Sequence, residues 1–374
     1  MLIHTYQALP RREVLDCRVM ALEELLRHYG QGMSPYLVML LAESYGFRYG
    51  TMDFEGSTIR GVPYAVASDA HLDRTLFGAL QADYAEEVID DSAYGWDRMK
   101  DLLNKDIPII TRLDARMMLH SESYVPDSTL AKIYYVSELL LVGYSEDEKE
   151  VFLVPADTSD DAVALRVPFD VFQAHRNTVC LPYSPGFSCS YLVGPSPFVV
   201  LNDRLLSRKL RESLQHTCDK MLTVRQPETV DIPGFGMSSI NTGIPAMKML
   251  GDHLRSLASE FSDNGEQVSA RKYLLFSLLF LRNSLMVSTR SAFRGEFGEG
   301  LIRCSELASN KYLADIGQRM NEVARVWQRW FARISMLPHN AEGFGASIHH
   351  LCDTYDSLVE SEEAALKDLR EKLY

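Results

Sequence analysis

The hydrophobic period of this chain changes partway along, and that change limits its fold more than any other feature. Near the start, apolar residues recur at three- and four-residue spacing, as in Val19, Leu22, Leu25, Leu26 and Tyr29, the signature of a helix with one buried face. Further on come compact apolar runs: Ile107–Leu113 (IPIITRL), Ile133–Tyr144 (IYYVSELLLVGY) and Val151–Val154 (VFLV). Runs of that kind read as strands. The polar stretch Ser145–Glu150 is short enough to join the last two as a hairpin. Helices followed by antiparallel strands indicate an α+β domain.

Local signals add detail. Asp16 stands where a helix wants an N-cap or first-turn acid, and Gly30 where a helix stops. Ser34-Pro35 opens a second helix, with the apolar face on Tyr36–Tyr45. Gly46–Pro63 is rich in glycine and polar residues and reads as a loop, Ala82–Asn104 as a helix, and Phe169–Arg176 as a short helix. Tyr183–Pro197 contains three prolines and two glycines, which places a domain boundary there. The expected division is 1–195 and 196–374. Beyond the boundary the amphipathic spacing is helical throughout, over Leu201–Leu222, Thr242–Phe261, Val268–Val287, Ser291–Leu307, Ala314–Ile334 and Ala346–Lys372. An all-α second domain is therefore expected, and the apolar content of its helices makes a homodimer plausible.

Composition narrows the function. With 46% hydrophobic and 24% charged residues over 374 positions, the chain can bury a core. A net charge of −13 disfavours nucleic acid and anionic membrane surfaces as main partners, since both reward clustered Lys and Arg. It permits a cationic partner such as an amine. The longest apolar stretch, Tyr273–Leu281, is too short to span a bilayer, and the first residues contain no signal-peptide-like run. Six cysteines without a CxxC pair argue against a disulfide scaffold or zinc ribbon. A cytoplasmic protein with free thiols, without metal or cofactor, is the expectation.

Cys17 is the sharpest candidate for chemistry. It follows Asp16 at the first turn of a helix, and a helix N-terminus stabilises a thiolate. Such a thiolate is the nucleophile that acyl or thioester exchange requires; the alternative is a thiol packed under the first turn. A cysteine nucleophile wants a base, usually a histidine from a distant strand. None of the ten histidines lies in Ile133–Tyr144. His28 is eleven residues from Cys17, roughly 16 Å along a helix axis, too far to serve. His120 lies in the segment after Ile107–Leu113, either as a substitute base or as a solvated loop residue. His349-His350 lacks the spacing of a metal pair. Arg290, Arg294 and Arg303 lie near one helix, either to dock a phosphate or an acidic group or as an ordinary solvated or salt-bridged face.

The segment LDCRVMALEELLRHYGQGMSPYLVMLLAESYGFRYG resembles the start of the butirosin biosynthesis protein H N-terminal family. Cys17, Ala21, Leu25, Leu26, His28, Tyr29, Gly30, Glu43, Gly46 and Gly50 fit its pattern, as do Pro108 to Asp114 and the Gly143-Tyr144 strand end. Gly243–Leu254, Arg290–Leu301 and Glu362–Leu369 are similar to the helical domain that usually follows. The resemblance implies a papain-like N-terminal domain with a helical companion. It also implies acyl or aminoacyl transfer from a carrier-protein or other thioester, through Cys17, to a small-molecule amine in specialised-metabolite biosynthesis.

The pattern also locates the departures. The family histidine falls at Ser137, with Glu138 beside it, and the expected aspartate of the next strand falls near Asp157, two residues past Pro155. The expected catalytic set is Cys17, Ser137 and Asp157, with Asp16, Glu138, Tyr144 and His120 lining the substrate site. Because strand side chains alternate, only one of Ser137 and Glu138 faces the cysteine. A family member that has lost catalysis and binds a carrier protein or biosynthetic partner is the alternative, as is a site rebuilt for cyclisation or condensation.

Overall fold

A computed structural model describes residues 15–53, 61–68, 71–114, 136–154, 164–178, 185–193, 202–232, 236–263, 268–286, 291–337 and 343–373. In chain order the first elements are α1 (Cys17–His28), α2 (Pro35–Leu41), β1 (Tyr45–Met52), β2 (Val62–Ser68), α3 (Leu72–Leu80), β3 (Tyr84–Val88) and α4 (Ala93–Asn104). There follow β4 (Ile109–Asp114), β5 (Val136–Ser145), β6 (Glu150–Val154), β7 (Leu165–Pro168), α5 (Phe169–Arg176) and β8 (Ser188–Leu192). The last are α6 (Asp203–Leu222), β9 (Glu228–Ile232), β10 (Gly236–Thr242), α7 (Gly243–Asp263), α8 (Val268–Leu285), α9 (Arg294–Arg303), α10 (Tyr312–Ser335) and α11 (Phe344–Leu373). The chain is α+β with antiparallel sheets, and its C-terminal region is dominated by helices. No helix among the described residues is long and apolar enough to cross a membrane.

The chain divides into two compact units: Met1–Val38 with His71–Asn202, and Met39–Ala70 with Asp203–Tyr374. The first unit is built on a six-stranded sheet in the order β3-β8-β4-β5-β6-β7, antiparallel at every pairing. β4 and β5 lie at its centre and read as apolar runs because Ile109, Ile110, Leu113, Leu139, Leu140 and Leu141 are buried. The β5–β6 hairpin falls on the polar turn that the sequence marks. α1 packs against β5 with α3 beside it. Its His-Tyr-Gly end is an anchor: His28 Nε2 lies 3.1 Å from the carbonyl of Asp106. The Tyr29 hydroxyl reaches the carbonyl of Leu192 at 3.4 Å, and Gly30 takes a φ of +74°, which glycine adopts freely.

The second unit has its own four-stranded sheet, β2-β1-β10-β9. Its centre is an ion pair, Arg294–Glu362, with both side chains at 0% exposure. Arg294 Nη2 reaches Glu362 Oε1 at 2.6 Å and Nε reaches both carboxylate oxygens at 3.1 Å. Nη1 donates to the carbonyls of Ala292 (2.6 Å) and Gly46 (3.0 Å). Tyr45 and Trp327 complete the carboxylate at 2.5 and 3.0 Å, and the guanidinium lies over the Tyr45 and Trp327 rings. Buried charge is tolerated where its hydrogen bonds are satisfied in this way.

Several expectations are corrected. Gly46–Pro63 is not a loop: β1 and the start of β2 lie in it. The strand survives its glycines because Tyr45, Phe47, Tyr49 and Met52 are buried. At Gly50 a Cβ would come within 2.9 Å of the Ser239 carbonyl on β10, so the sheet closes only over glycine. Ala82–Asn104 is not one helix. It holds the edge strand β3 and then α4, whose start is set by Ser92, an N-cap accepting from Gly95 N at 3.1 Å. The region after 196 is not purely helical, since β9 and β10 form a hairpin there. Nor is residue 195 a single crossing point, because 39–70 groups with the later residues: Gly46 and Tyr45 are partners of the Arg294–Glu362 pair. That pair also corrects one reading of the arginines, for a fully buried Arg294 offers no phosphate dock; Arg303 pairs with Glu299, and Arg290 lies outside the described residues.

Candidate functional site

Asp16 is the N-cap of α1, with Oδ1 accepting from the Arg18 amide at 3.0 Å and from Arg18 Nε at 2.8 Å. Cys17 is therefore the first residue of the helix, and its thiol meets β5. The Ser137 hydroxyl and the backbone N–H of Glu138 both hydrogen-bond the sulfur. The alternation of β5 explains how both residues take part. Ser137 lies opposite Leu113, and Glu138 opposite Arg112 on the other face. Ser137 thus meets the thiol with its side chain. Glu138 contributes its amide, while its carboxylate takes Arg112 Nε at 2.9 Å.

These placements bring together Asp16, Cys17, Ser137 and Glu138 from the expected set. Tyr144 is elsewhere. It is seven residues from Ser137 along β5, about 23 Å at the rise of a strand. Its hydroxyl donates to Asn104 Oδ1 and its ring packs against Trp96. His120 and Asp157 lie outside the described residues.

The electrostatics overturn the expectation of a thiolate. Burial pushes the Cys17 thiol up to about 12, and the neighbouring Asp16 carboxylate adds to the rise. Hydrogen bonds from Ser137 and Glu138 and the charge of Arg18 oppose it without prevailing. The helix N-terminus does favour an anion, but the residue that caps it is itself an anion, and desolvation disfavours a second one. Among the described residues no imidazole acts on the sulfur. Cys17 nevertheless keeps partial solvent exposure.

Around the thiol lies a set of charges that sequence reasoning only partly found. Arg18 and Asp73 are nearly fully buried and join Asp16, Glu138 and Arg112. Burial pushes the Glu138 carboxyl up and Asp73 contributes, against Arg112 and Arg18. Asp16 Oδ2 has no hydrogen-bond partner. The available signal for Arg112 was a charge inside the apolar strand IPIITRL, and for Arg18 its place directly after the cysteine. A second pairing also went unforeseen: at the end of β4 the buried Asp114 lies 3.9 Å from His175 Nδ1 on α5.

No group of three or more His, Cys, Asp or Glu side chains among the described residues is placed to hold a metal ion. The described cysteines are all unpaired. Chemically the site offers a protonated thiol, two hydrogen-bond donors aimed at it, and a half-satisfied carboxylate. No family model matches the chain, and no curated protein matches it.

Proposed function

We propose that the first unit is a papain-like, acyltransferase-derived module that has lost base-assisted catalysis and binds an acyl-carrier protein or its thioester cargo in specialised-metabolite biosynthesis. One observation carries this reading. The Ser137 hydroxyl hydrogen-bonds the Cys17 sulfur from the strand position where the resemblance places a histidine, and the thiol it meets is pushed up to about 12. A hydroxyl takes no proton from a thiol at neutral pH, and loss of the base typically costs orders of magnitude in rate. The described cysteines, all without a disulfide, support a cytoplasmic setting. The net charge of −13 requires any acidic carrier to dock through a local basic patch.

A second reading, slow acyl transfer through Cys17 to an amine, is favoured by one feature. The Ser137 hydroxyl and the Glu138 amide converge on the sulfur from one strand, as donors that stabilise a developing anion do. An activated thioester has a good leaving group, so weak assistance suffices there.

Incubation with a panel of acyl- and aminoacyl-pantetheine thioesters, followed by intact mass, separates the two. The binding reading predicts no adduct, together with saturable binding of an acyl-loaded carrier protein that Ser137→Arg, which fills the space at the thiol, weakens. An acyl mass gain in the wild type that disappears in Cys17→Ala overturns it in favour of acyl transfer.

A further inference from the structure

Far along the chain from Cys17, the second unit holds one imidazole bound to a buried phenol. The Tyr49 hydroxyl on β1 and His253 Nδ1 on α7 are 2.6 Å apart, with the rings edge-on at a centroid distance of 6.2 Å. Tyr49 is 5% exposed, whereas His253 is only half-buried, so a proton from solvent reaches the imidazole but not the phenol. Burial also raises the Tyr49 phenol well above its ordinary value, which keeps it a hydroxyl and hence a donor. α7 packs directly on β1 and β10, and Tyr49 pairs across the sheet with Ala65 on β2 and Asn241 on β10.

We propose that the Tyr49–His253 hydrogen bond is a pH-operated latch between β1 and α7: Tyr49 donates to Nδ1 of a neutral imidazole, and protonation of His253 opens it. An imidazolium carries N–H on both nitrogens and accepts nothing, so the contact survives only reversed, with Nδ1–H donating to the phenol oxygen and the buried Tyr49 proton left without its acceptor. Opening leaves a buried hydroxyl without that acceptor, which disfavours the packed arrangement. The sign follows from linkage. The bond favours the neutral imidazole over the imidazolium, so its contribution is present while His253 is neutral and is lost as pH falls and the ring takes a proton.

Other charges surround the latch, and the test has to separate them. α7 itself carries Asp252 and Arg255, which pair with each other. α11 brings Asp356 to Arg255 and Glu363 to Lys248. β1 carries Arg48, paired with Glu228. α6 carries Asp219, Lys220 and His216, the last beside Glu43, and α8 carries Arg271, Lys272 and Arg282. The other imidazoles on these elements are His216, which has its own carboxylate, and His349 and His350 on α11.

The decisive comparison is imidazole nitrogen NMR across pH 5 to 8 on the full chain, for the wild type and Tyr49→Phe. The latch predicts the Nε2–H tautomer of His253 at neutral pH. It also predicts a titration lower in the wild type by about half a unit or more, the value a hydrogen bond of ordinary strength gives. Amide exchange in α7, corrected for intrinsic rate, then speeds up on acidification in the wild type. It stays level in His253→Gln, which cannot titrate. An Nδ1–H tautomer, equal titrations in wild type and Tyr49→Phe, or an undiminished acid response in His253→Gln would each overturn the proposal.

Discussion

Each unit buries ionic side chains, and it disposes of them differently. Around Arg294–Glu362 both carboxylate oxygens are bound, by Arg294, Tyr45 and Trp327, and the guanidinium is covered by carbonyls and aromatic faces. Around Cys17, three acids (Asp16, Asp73, Glu138) meet two arginines (Arg18, Arg112), one oxygen of Asp16 is unpartnered, and two titrating groups are pushed up. A satisfied network is what a fold needs to hold itself together. An incompletely satisfied one, beside a partly exposed thiol, is where a ligand has something to offer. The contrast separates an architectural charge pair from a candidate site without reference to any relative.

That contrast can be broken at several points. The largest effect is expected from Arg294→Met, which strands Glu362 in the core. Truncating one partner of a buried pair costs about 3–5 kcal/mol, read as a lower midpoint in urea unfolding. An unchanged midpoint would mean that the pair is dispensable. Next comes Ser137→His. An imidazole at that position stands beside the Cys17 sulfur, and a positioned base is worth about 10²–10⁴ in rate. Alkylation of Cys17 at pH 7.5, followed by peptide mass mapping, should rise at least toward the lower end of that range. No change would show that position 137 does not command the thiol.

A smaller and more specific effect is expected from Asp16→Asn. Asparagine caps a helix as well as aspartate, but the buried Arg18 loses its anionic partner, so urea unfolding should show a loss of about 1–3 kcal/mol. Removing the charge next to the thiol should lower the pH midpoint of Cys17 alkylation by about one unit, equivalent to about 1.4 kcal/mol. The smallest effect concerns Glu138. A carboxyl raised by burial binds its proton more tightly folded than unfolded. Its contribution is therefore full below the unfolded value of about 4.3 and is lost as pH rises through the folded one. The wild type should lose stability over that range relative to Glu138→Gln in denaturant titrations. A parallel pH course in both would remove Glu138 from the cluster's charge balance.

How much was legible in advance depended on whether the signal was local. Asp16 as a cap, the α1 periodicity, the β5–β6 hairpin and the long C-terminal helices are written in neighbouring residues, and each element lies within a few positions of its expected place. β1 was missed because Gly46 and Gly50 look like loop chemistry until β10 is known to pass 2.9 Å from the place of a Cβ. β3 was missed because Ala82–Asn104 has helical composition, and the break at Asp90–Ser92 depends on a cap hydrogen bond. In the site, no local signal places Ser137 of β5 beside the first residue of α1; the two were grouped only by a resemblance, and local spacing does not bring them together. Tyr144 was grouped with the site because a motif ends there, whereas the strand carries it toward Asn104 and Trp96. The thiol's protonation went the other way for a physical reason: the helix dipole is evident from sequence, whereas the desolvation that outweighs it depends on the fold.

The most direct test of the account is the pH profile of Cys17 alkylation by iodoacetamide, quantified on the Cys17 peptide, with Cys17→Ser as the blank. The account predicts negligible labelling at pH 7, with reactivity still climbing at the most alkaline pH that the folded protein tolerates. A plateau reached by pH 7 would mean a thiolate stabilised in the native site, and it would contradict the reading of Cys17 as a thiol without a base.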